Sequence, residues 1–405
     1  MSKKLNIFSF VAWQNGVGWY RMDEPFRVLQ EQELVDLHSN PHNCIRPVKD
    51  NWMSAKETDT AETFIQRLGN NVEKAAAGAD AAVMQRYDSH AFFSLMMGMK
   101  QVFKFPIIAE VDDYPHDIPS FNPGKQSYME KPMDAPDAIN DASMWARKSN
   151  GWYDAYIVST PFLKKYYENY SPTYICPNSI DLRKRKFGEH EKHKEIRIGF
   201  PGSGGHQENL MMIEPVVEEI LSKYPETVFY YYDGTRTRLA EKFGKRIRKM
   251  HWVNIDKYPE YLWSQHLDIV IAPLVDRMFN RAKSNLRLLE SWSSGKYPIV
   301  ASRVGEYAAT IKDGVNGFLA SSKEEWVDKI SRLIESAKLR KTLGLAGYDT
   351  VKKDFNLEKN ARIWYNAISD IKRNYRPGKQ PPRQYIDPYA AAASEGGGSA
   401  YDKAF

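Results

Sequence analysis

Strand-like apolar runs that alternate with helix-length amphipathic stretches are the feature that most restricts the fold of this chain. The first such run is LNIFSFVAW, and AAVMQRY, FPIIAEVDD and AYIVSTP follow it. A first helix is predicted over DEPFRVLQEQEL, with Asp23 as its N-cap and Pro25 in its first turn. Buried strands in this alternation predict a parallel sheet that is covered by helices.

The pattern starts again after residues 182–195, LRKRKFGEHEKHKE, which are charged and poor in apolar side chains. IRIGFPGSGG then predicts a strand that runs into a glycine loop, and NLMMIEPVVEEILSKY predicts a helix. Further strands are predicted over VFYYYDG, LDIVIAPL and YPIVAS. Two such arrays predict an α/β chain with two Rossmann-like domains that face a central cleft, where ligands lie at the carboxyl ends of the strands.

The same pattern divides the chain into five segments. We expect an N-terminal domain over residues 1–180, a solvated linker over 181–195, a C-terminal domain over 196–354, a helix over 355–375 and a tail over 376–405. The tail is rich in proline, alanine and glycine and has almost no large aliphatic residues, so we expect it to be disordered.

The composition excludes a disordered chain, a collagen and a disulfide-built miniprotein. Of the 405 residues 42% are hydrophobic, and the two cysteines, Cys44 and Cys176, are too few for a disulfide framework or a zinc site. The stretch MSKKLNIFSFVAWQNG is too short and too soon polar for a signal peptide or a membrane span, so we expect a cytoplasmic protein without integral membrane association. The net charge of +6 permits anionic partners but does not require them.

Four groups of residues are candidates for a functional site, and the first follows the first strand. Gly16, Val17 and Gly18 precede Arg21 on the next helix. Glycines let a backbone approach a ligand closely, and the arginine would hold an anion. A tight turn whose arginine pairs with a surface carboxylate is equally compatible with this motif, which lacks the third glycine of a dinucleotide-binding fingerprint.

The second group follows the first strand of the second array. Gly202, Ser203, Gly204, Gly205 and His206 form a glycine loop before a helix. Consecutive backbone N–H groups in such a loop, together with the helix N-terminus, favour an anion. The loop lacks the GK[ST] ending of a P-loop, which argues against an ATPase. A flexible turn is the alternative.

The third group is the most specific. A strand ends before the polar loop at 275–283, and a helix is predicted to begin near Ser284 as its N-cap. Free N–H groups there, beside Lys283, would hold a diphosphate. Glu290 lies farther along the helix, where its carboxylate either accepts the two hydroxyls of a ribose or faces solvent without a role.

The fourth group belongs to the first array. Asp112, Asp113 and His116 follow the strand IIAEV, and Arg86 lies at the end of another strand. Carboxylates at this edge would orient sugar hydroxyls, act as a base, bind a metal, or stabilise a helix or loop. The chain has no second acidic cluster of the DxD type, so we expect no metal site. In the second array, Trp252 would contact a nucleotide base or pack in the core.

In their order along the chain these residues resemble the GT-B glycosyltransferases, and in particular glycosyltransferase family 4, from the first strand to about residue 373. The resemblance is carried by GVGWYR at 16–21, STPFL at 159–163, PNSID at 177–181, residues 272–290, GKYPIVAS at 295–302 and DGVNGF at 313–318. The helix at 357–373 is similar to the one that crosses back to the first domain in this fold. GVGxYR together with FNxxKSNxxxLE resembles a variant often encoded by bacteriophages, some of which glycosylate hydroxymethylated bases in phage DNA.

The resemblance implies a retaining, metal-independent transfer of a sugar from a nucleoside-diphosphate sugar, a UDP-sugar in the first place, to an acceptor hydroxyl, with no further cofactor. It implies that Glu290 holds the ribose of the donor. The other implied donor-binding residues are Lys283, Ser284, Asn285, Arg281, Gly202, Ser203, Gly204, Gly205 and His206. The implied catalytic residues are Asp113, Asp112 and His116, and those on the sugar and acceptor side are Gly16, Val17, Gly18, Arg21 and Arg86.

The chain also departs from the family. The common donor motif has two glutamates separated by seven residues, and Ala282 stands where the first is expected. Asp276, Asn280 or Lys283 would then contact the transferred sugar. Modified DNA, a surface polysaccharide and a lipid-linked sugar stay open as acceptors, and so does a GT-B-like binding protein without catalysis.

Overall fold

The computed structural model describes residues 4–11, 16–39, 76–85, 100, 102–114, 117–119, 153–191 and 193–378. These residues form two compact units, each built on one parallel six-stranded sheet. The first unit contains the described residues up to position 116, those of 153–177 and those from 357 onward. The second contains residues 117–119 and the described residues of 178–356. The α/β class with parallel sheets is confirmed.

The first sheet has the strand order β2-β1-β3-β4-β5-β6. Its strands are β1 (Leu5–Phe10), β2 (Val35–Ser39), β3 (Ala81–Gln85), β4 (Ile107–Val111), β5 (Ala155–Val158) and β6 (Thr173–Ile175). All side chains of β3, β4 and β5 are buried, as is typical of strands with both faces covered. The four inner strands agree with the sequence-based expectation, whereas the edge strands β2 and β6 were not predicted.

An unbroken helical segment follows β1. It consists of α1 (Gly16–Gly18), a π-helical turn (Trp19–Asp23) and α2 (Glu24–Glu31). The backbone of Asp23 is already helical, with φ −67° and ψ −52°, and its side chain caps no amide. The prediction of Asp23 as an N-cap is therefore wrong, because the preceding turns already supply carbonyl acceptors to the amides of α2. One further short helix of this unit is α3 (Pro161–Tyr167).

The closing helix of the described chain, Leu357–Asn374, packs within the first unit. Trp364 meets Phe26 of α2 edge to face, with ring centroids 5.8 Å apart. The hydroxyl of Tyr174 donates to Asp370 Oδ2 at 2.5 Å. The apolar face of this helix joins the core that β1 and β3 line, so the last described helix completes a core that the first strands begin.

A buried ion pair lies at the centre of the first unit. Arg21, in the π-helical turn, donates through Nε to Glu110 Oε1 of β4 at 2.6 Å, and both side chains are 0% exposed. Its Nη1 donates to the carbonyl of Cys176, and its guanidinium lies 4.9 Å from the ring centroid of Trp364. Burial raises the pKa of Glu110 to about 7 against the opposing effect of Arg21. Burial alone lowers the pKa of Arg21, but Glu110 and Asp112 outweigh it and the pKa is raised.

The second sheet has the strand order β12-β11-β10-β7-β8-β9. Its strands are β7 (Ile196–Phe200), β8 (Thr227–Tyr232), β9 (Ile247–Met250), β10 (Ile269–Ala272), β11 (Ile299–Ser302) and β12 (Phe318–Ala320). Its helices are α4 (Gln207–Lys223), α5 (Leu239–Phe243), α6 (Tyr258–Ser264), α7 (Met278–Arg281), α8 (Leu286–Gly295), α9 (Gly305–Thr310), α10 (Lys323–Glu335) and α11 (Ala337–Asp354). Again the inner strands agree with the expectation, and the edge strands β9 and β12 were not predicted.

The charged stretch at 182–195 belongs to the second unit and packs on it through several side chains. Phe187 stacks on Trp263 with ring centroids 5.7 Å apart. His190 Nε2 lies 2.9 Å from the carbonyl oxygen of Gly295. These contacts are made by aromatic and imidazole side chains, and the number of charged residues in this stretch gave no indication of them.

The expected tail at 376–405 lies outside the described residues beyond position 378. Across the part of the chain that the structure describes, no helix combines the length and the apolar character needed to cross a membrane.

We expect Arg21→Met to lower the free energy of unfolding by about 3–5 kcal/mol, because it leaves the Glu110 carboxylate buried without its cation. The double variant Arg21→Met/Glu110→Leu removes both charges and should recover most of that loss. Urea denaturation followed by circular dichroism measures both. A single variant as stable as the unsubstituted protein would contradict the central role of this pair.

Candidate functional site

Three loops of the second unit meet at one edge of its sheet. The strands β11, β10 and β7 are neighbours and run parallel, so their carboxyl ends lie side by side. The loop at 201–206 follows β7, the loop at 273–285 follows β10, and residues 303–304 follow β11. Ligands of open parallel sheets bind outside these ends, so the second and third groups of predicted residues come together here.

The glycine loop packs closely against a cation. After β7 the chain turns, and residues 204–206 form a 3-10 turn that leads into α4. A Cβ at Gly202 would lie 3.0 Å from the ring of Phe200 and 3.4 Å from Arg287 Nη1. Any side chain at position 202 would therefore crowd both neighbours, which explains the glycine there and places the guanidinium against the loop.

Arg287 is the first of two residues of this site that the sequence analysis missed. Its Nη1 is buried and has no hydrogen-bond partner among the described residues, and its guanidinium lies 5.5 Å from the ring centroid of Phe200. Arg287 stands three residues before Glu290 on α8, a spacing that places the two side chains on one helical face, and four residues after Lys283 in the preceding loop. That spacing was the available signal. A guanidinium with a buried, unused N–H donor is costly unless an anion approaches it.

His206 is neutral and lies near two cations, Arg287 and Lys283. Burial lowers its pKa well below the usual value, and Arg287 and Lys283 lower it further. Its Nδ1 lies 2.9 Å from Asn209 Nδ2, which donates to it, so the imidazole proton resides on Nε2. Asn209 Oδ1 in turn accepts from the amide of Val275 at 2.9 Å, which joins the glycine loop to the loop after β10.

The start of α8 differs from the expectation. The helix begins at Leu286 and Asn285 precedes it, so Ser284 is not its N-cap. The hydroxyl of Ser284 accepts from Asn178 Nδ2 at 2.7 Å, and Asn285 Nδ2 donates to Thr310 Oγ1 at 2.9 Å. Both side chains thus fix the loop against its surroundings, and the free amides of α8 begin one residue later than predicted.

Lys283 and Glu290 flank Arg287. Lys283 Nζ lies 4.4 Å from the ring centroid of Phe279, a cation–π contact that orients the ammonium group. Glu290 is partly buried on α8 near Tyr258. Burial raises the pKa of Tyr258, Glu290 raises it further and Arg287 opposes both, so a neutral hydroxyl lies beside the carboxylate. Lys283 therefore lies in the loop before α8, and Arg287 and Glu290 lie one helical turn apart on α8.

Two predicted contact residues pair with each other. Arg281 donates to Asp276 through Nε at 2.5 Å and through Nη2 at 2.9 Å. Hydrogen bonds from Arg281 hold the pKa of Asp276 below its ordinary value. Asn280, also considered for the sugar, donates to the carbonyl of Val275 at 2.9 Å. These three side chains shape the loop through their mutual contacts.

Glu306 is a second residue that the sequence analysis missed. Gly305 has φ +49°, and a Cβ there would lie 2.5 Å from the carbonyl oxygen of Arg281, so only glycine fits. This close approach places the start of α9 beside Ala282, where the resemblance expects a glutamate. Burial raises the pKa of Glu306. Its carboxylate makes no hydrogen bond or ion pair with any residue in the described ranges.

Two of the predicted residues of the first unit lie at the carboxyl end of β4. Asp112 and Asp113 follow this strand directly and are partly buried, and the carbonyl of Asp112 accepts from Ser159 Oγ at 3.4 Å. Gly16, Val17 and Gly18 form the helical turn before Arg21. Arg21 is turned into the protein toward Glu110, not toward a surface carboxylate or an exposed anion site. Arg86 and His116 lie outside the described residues.

Comparison with known proteins agrees with this geometry. Residues 195–336 match the protein family described as Glycosyl transferases group 1. An uncharacterized glycosyltransferase of Methanocaldococcus jannaschii is 40% identical over 78 residues, which make up 18% of this chain and 22% of that relative. The alignment thus spans less than a quarter of the relative.

Two solved structures share the fold over 90% of this chain. Sucrose-phosphate synthase of Thermosynechococcus elongatus has a TM-score of 0.63 and 14% identity, covering 90% of this chain and 99% of its own. HepE of Anabaena, solved in complex with UDP and glucose, has a TM-score of 0.57 and 13% identity, covering 90% and 99%. Residues 195–336 therefore form a glycosyl transferases group 1 domain, and the chain has the fold of the GT-B glycosyltransferases.

Proposed function

We propose that this protein is a glycosyltransferase that moves a sugar from a nucleoside-diphosphate sugar to an acceptor hydroxyl. The observation that carries the proposal is the partly buried cation cluster of Arg287 and Lys283 beside the glycine loop at 202–205. The family match of residues 195–336 covers all of these residues.

The cluster fits a diphosphate for electrostatic reasons. Two cations in a partly dehydrated site attract an anion more strongly than they would in water. The glycine loop and the N-terminus of α4 adjoin this region. The amides of Gly202 and His206 already donate to backbone carbonyls, so further donors to a diphosphate would come from the other amides of the loop and from the first turn of α4. When the bond to the sugar breaks, negative charge grows on the leaving diphosphate, and groups already in position stabilise it.

Glu290 and Glu306 give this site two separate carboxylates. Glu290 lies one helical turn beyond Arg287, and we assign it to the ribose hydroxyls. Glu306 lies beside Ala282, and we assign it to hydroxyls of the transferred sugar, in place of the missing glutamate. The raised pKa of Glu306 is consistent with a carboxyl that lacks a partner until hydroxyl groups approach it.

The finer features of the reaction are proposals that the resemblance supports. UDP-glucose is the first donor to test, because HepE was solved with UDP and glucose. Resemblance to glycosyltransferase family 4 supports retention of configuration and a transfer in which side chains carry the charge of the diphosphate. Resemblance to the phage-encoded variant supports a hydroxymethylated base in DNA as acceptor, with a polysaccharide or lipid-linked sugar as the alternative.

A GT-B-like binding protein without catalysis is the competing function. It predicts donor binding with neither sugar transfer nor slow donor hydrolysis. Incubation with UDP-glucose and each acceptor class, followed by mass spectrometry, separates the two functions. Transfer to hydroxymethylated DNA alone would support the phage-type acceptor.

We expect Arg287→Ala to weaken binding of UDP-glucose roughly 10- to 100-fold, because a hydrogen-bonded charge contributes about 1.5–3 kcal/mol. Glu290→Ala should weaken UDP and UDP-glucose to a similar degree, since both carry the ribose. Isothermal titration calorimetry measures each affinity. Lys341→Ala, at an exposed position on α11, is the matched control, and unchanged affinity in both site variants would overturn the donor site.

We expect the affinity for UDP-glucose to increase as the pH falls from about 7 to about 5. His206 has a lowered pKa in the free protein. A diphosphate that offsets the cations raises this pKa, so protons are taken up on binding and low pH favours the complex. The diphosphate diester does not titrate in this range. His206→Asn should flatten the profile, and an equally steep profile in that variant would contradict this assignment.

We expect Glu306→Gln to reduce turnover of UDP-glucose by at least about 10-fold while leaving the affinity for UDP nearly unchanged. The reason is that its carboxylate is assigned to the sugar and not to the nucleotide. Asp349→Asn, at an exposed position on α11, serves as the control. A parallel loss of UDP affinity would show that Glu306 acts on the nucleotide side or on folding.

A further inference from the structure

Residues 236–249 concentrate positive charge on the second unit. They contain seven lysines and arginines and one acid, an excess of six that equals the net charge of the whole chain. The stretch runs from the loop after β8 through α5 and a 3-10 turn into β9, the edge strand of the second sheet. We call residues 236–249 the basic edge.

Few of these charges are neutralised by carboxylates. Lys242 pairs with Glu218 at 2.5 Å, and Arg248 pairs with Glu195 at 2.7 Å. Arg246 donates to backbone carbonyls, among them that of Pro225 at 3.0 Å, which satisfies its N–H groups but leaves its charge.

The other four cations are exposed. Arg236, Arg238, Lys245 and Lys249 point to solvent and make no ion pair with any residue that the structure describes. Four cations within fourteen residues raise the local potential well above that of a balanced surface. This edge therefore attracts a partner with closely spaced negative charges.

The basic edge begins next to the glycine loop. Arg236 N donates to Gln207 Oε1 at 2.7 Å, and Gln207 Nε2 donates to the carbonyl of Arg236 at 2.8 Å. Gln207 follows His206 directly and opens α4. A polyanion on the basic edge would thus extend toward the donor site of the same unit.

The apolar side chains of this surface are few. Trp252, two residues after β9, is 64% exposed, so it is not a core residue. The ring of Phe243 is covered by Lys242 and Arg246, whose charged groups lie 5.5 Å and 5.2 Å from its centroid. Membrane-surface binding needs an apolar face beside the cations, and here cations cover the one other aromatic ring.

We propose that the basic edge binds the phosphate backbone of double-stranded DNA. Four of its seven cations are arginines, whose planar guanidinium groups match the geometry of phosphate oxygens. Trp252, which lies just beyond the basic edge in sequence, would contact a sugar or a base edge of the DNA. The proposal bears on the acceptor but does not rest on the proposed function, because DNA binding is measured without donor or sugar transfer.

The test compares two triple charge reversals by fluorescence anisotropy with a short labelled DNA duplex. Arg238→Glu/Lys245→Glu/Lys249→Glu should weaken binding by more than about 10-fold at low salt. The slope of log affinity against log salt should fall by about 1 for each phosphate that the variant no longer neutralises. The control, Lys338→Glu/Lys341→Glu/Lys352→Glu, changes the net charge equally on exposed positions of α11 and should stay within about 3-fold of the unsubstituted protein.

Equal losses of affinity in the two triple variants would overturn the proposal, since the effect would then follow net charge alone. Absence of duplex binding by the unsubstituted protein at low salt would also overturn it. Binding to phosphatidylserine vesicles but not to DNA would assign the edge to a membrane surface instead. If the reversal variant fails to fold, Arg238→Gln/Lys245→Gln/Lys249→Gln gives the same comparison, and UDP-glucose binding checks that the donor site is intact.

Discussion

The partial burial of Arg287, whose Nη1 has no hydrogen-bond partner among the described residues, is the constraint on which the site of the second unit depends. A guanidinium whose Nη1 is buried and unused is unfavourable by itself. It is held there by α8, by the ring of Phe200 and by a glycine loop that leaves room only for a backbone. His206 adapts by staying neutral. The folding free energy therefore maintains a positive, partly dehydrated site that an anionic ligand relieves, which is the arrangement that electrostatic catalysis requires.

Both units have a glycine-containing turn and a nearby arginine, but the arginine has different partners in each. In each, a glycine-containing turn follows the first strand, and an arginine lies close to it in space. In the first unit Arg21 is neutralised by Glu110 and joins the π-helical turn, β4 and the closing helix. In the second, no carboxylate within the described residues takes that role for Arg287. The difference lies in partners distant in sequence, so a motif of glycines and an arginine does not by itself define an anion site.

This contrast shows what the sequence can predict. The inner strands of both sheets were predicted, because a strand covered on both faces is continuously apolar. The four missed strands, β2, β6, β9 and β12, are all sheet edges, where short or polar segments such as IRKM pair on one side only. Arg287 was missed because its role depends on which face of α8 is turned toward the glycine loop. Ser284 was misassigned as a cap because its hydroxyl already accepts from Asn178, a contact across 106 positions.

The distribution of charge leads to a similar distinction. A net charge of +6 over 405 residues is weak evidence for any partner, since it averages over the whole surface. The excess within residues 236–249, less the two cations that pair with Glu218 and Glu195, is a local field, because the Debye length at physiological salt is about 8 Å and distant charges do not cancel it. Arg236 is joined to Gln207 at the start of α4, so this field acts where the glycine loop ends. The partly buried pair of cations that we assign to a diphosphate and the exposed row of cations that we assign to a polyanion are therefore separate features, and each can be removed without the other.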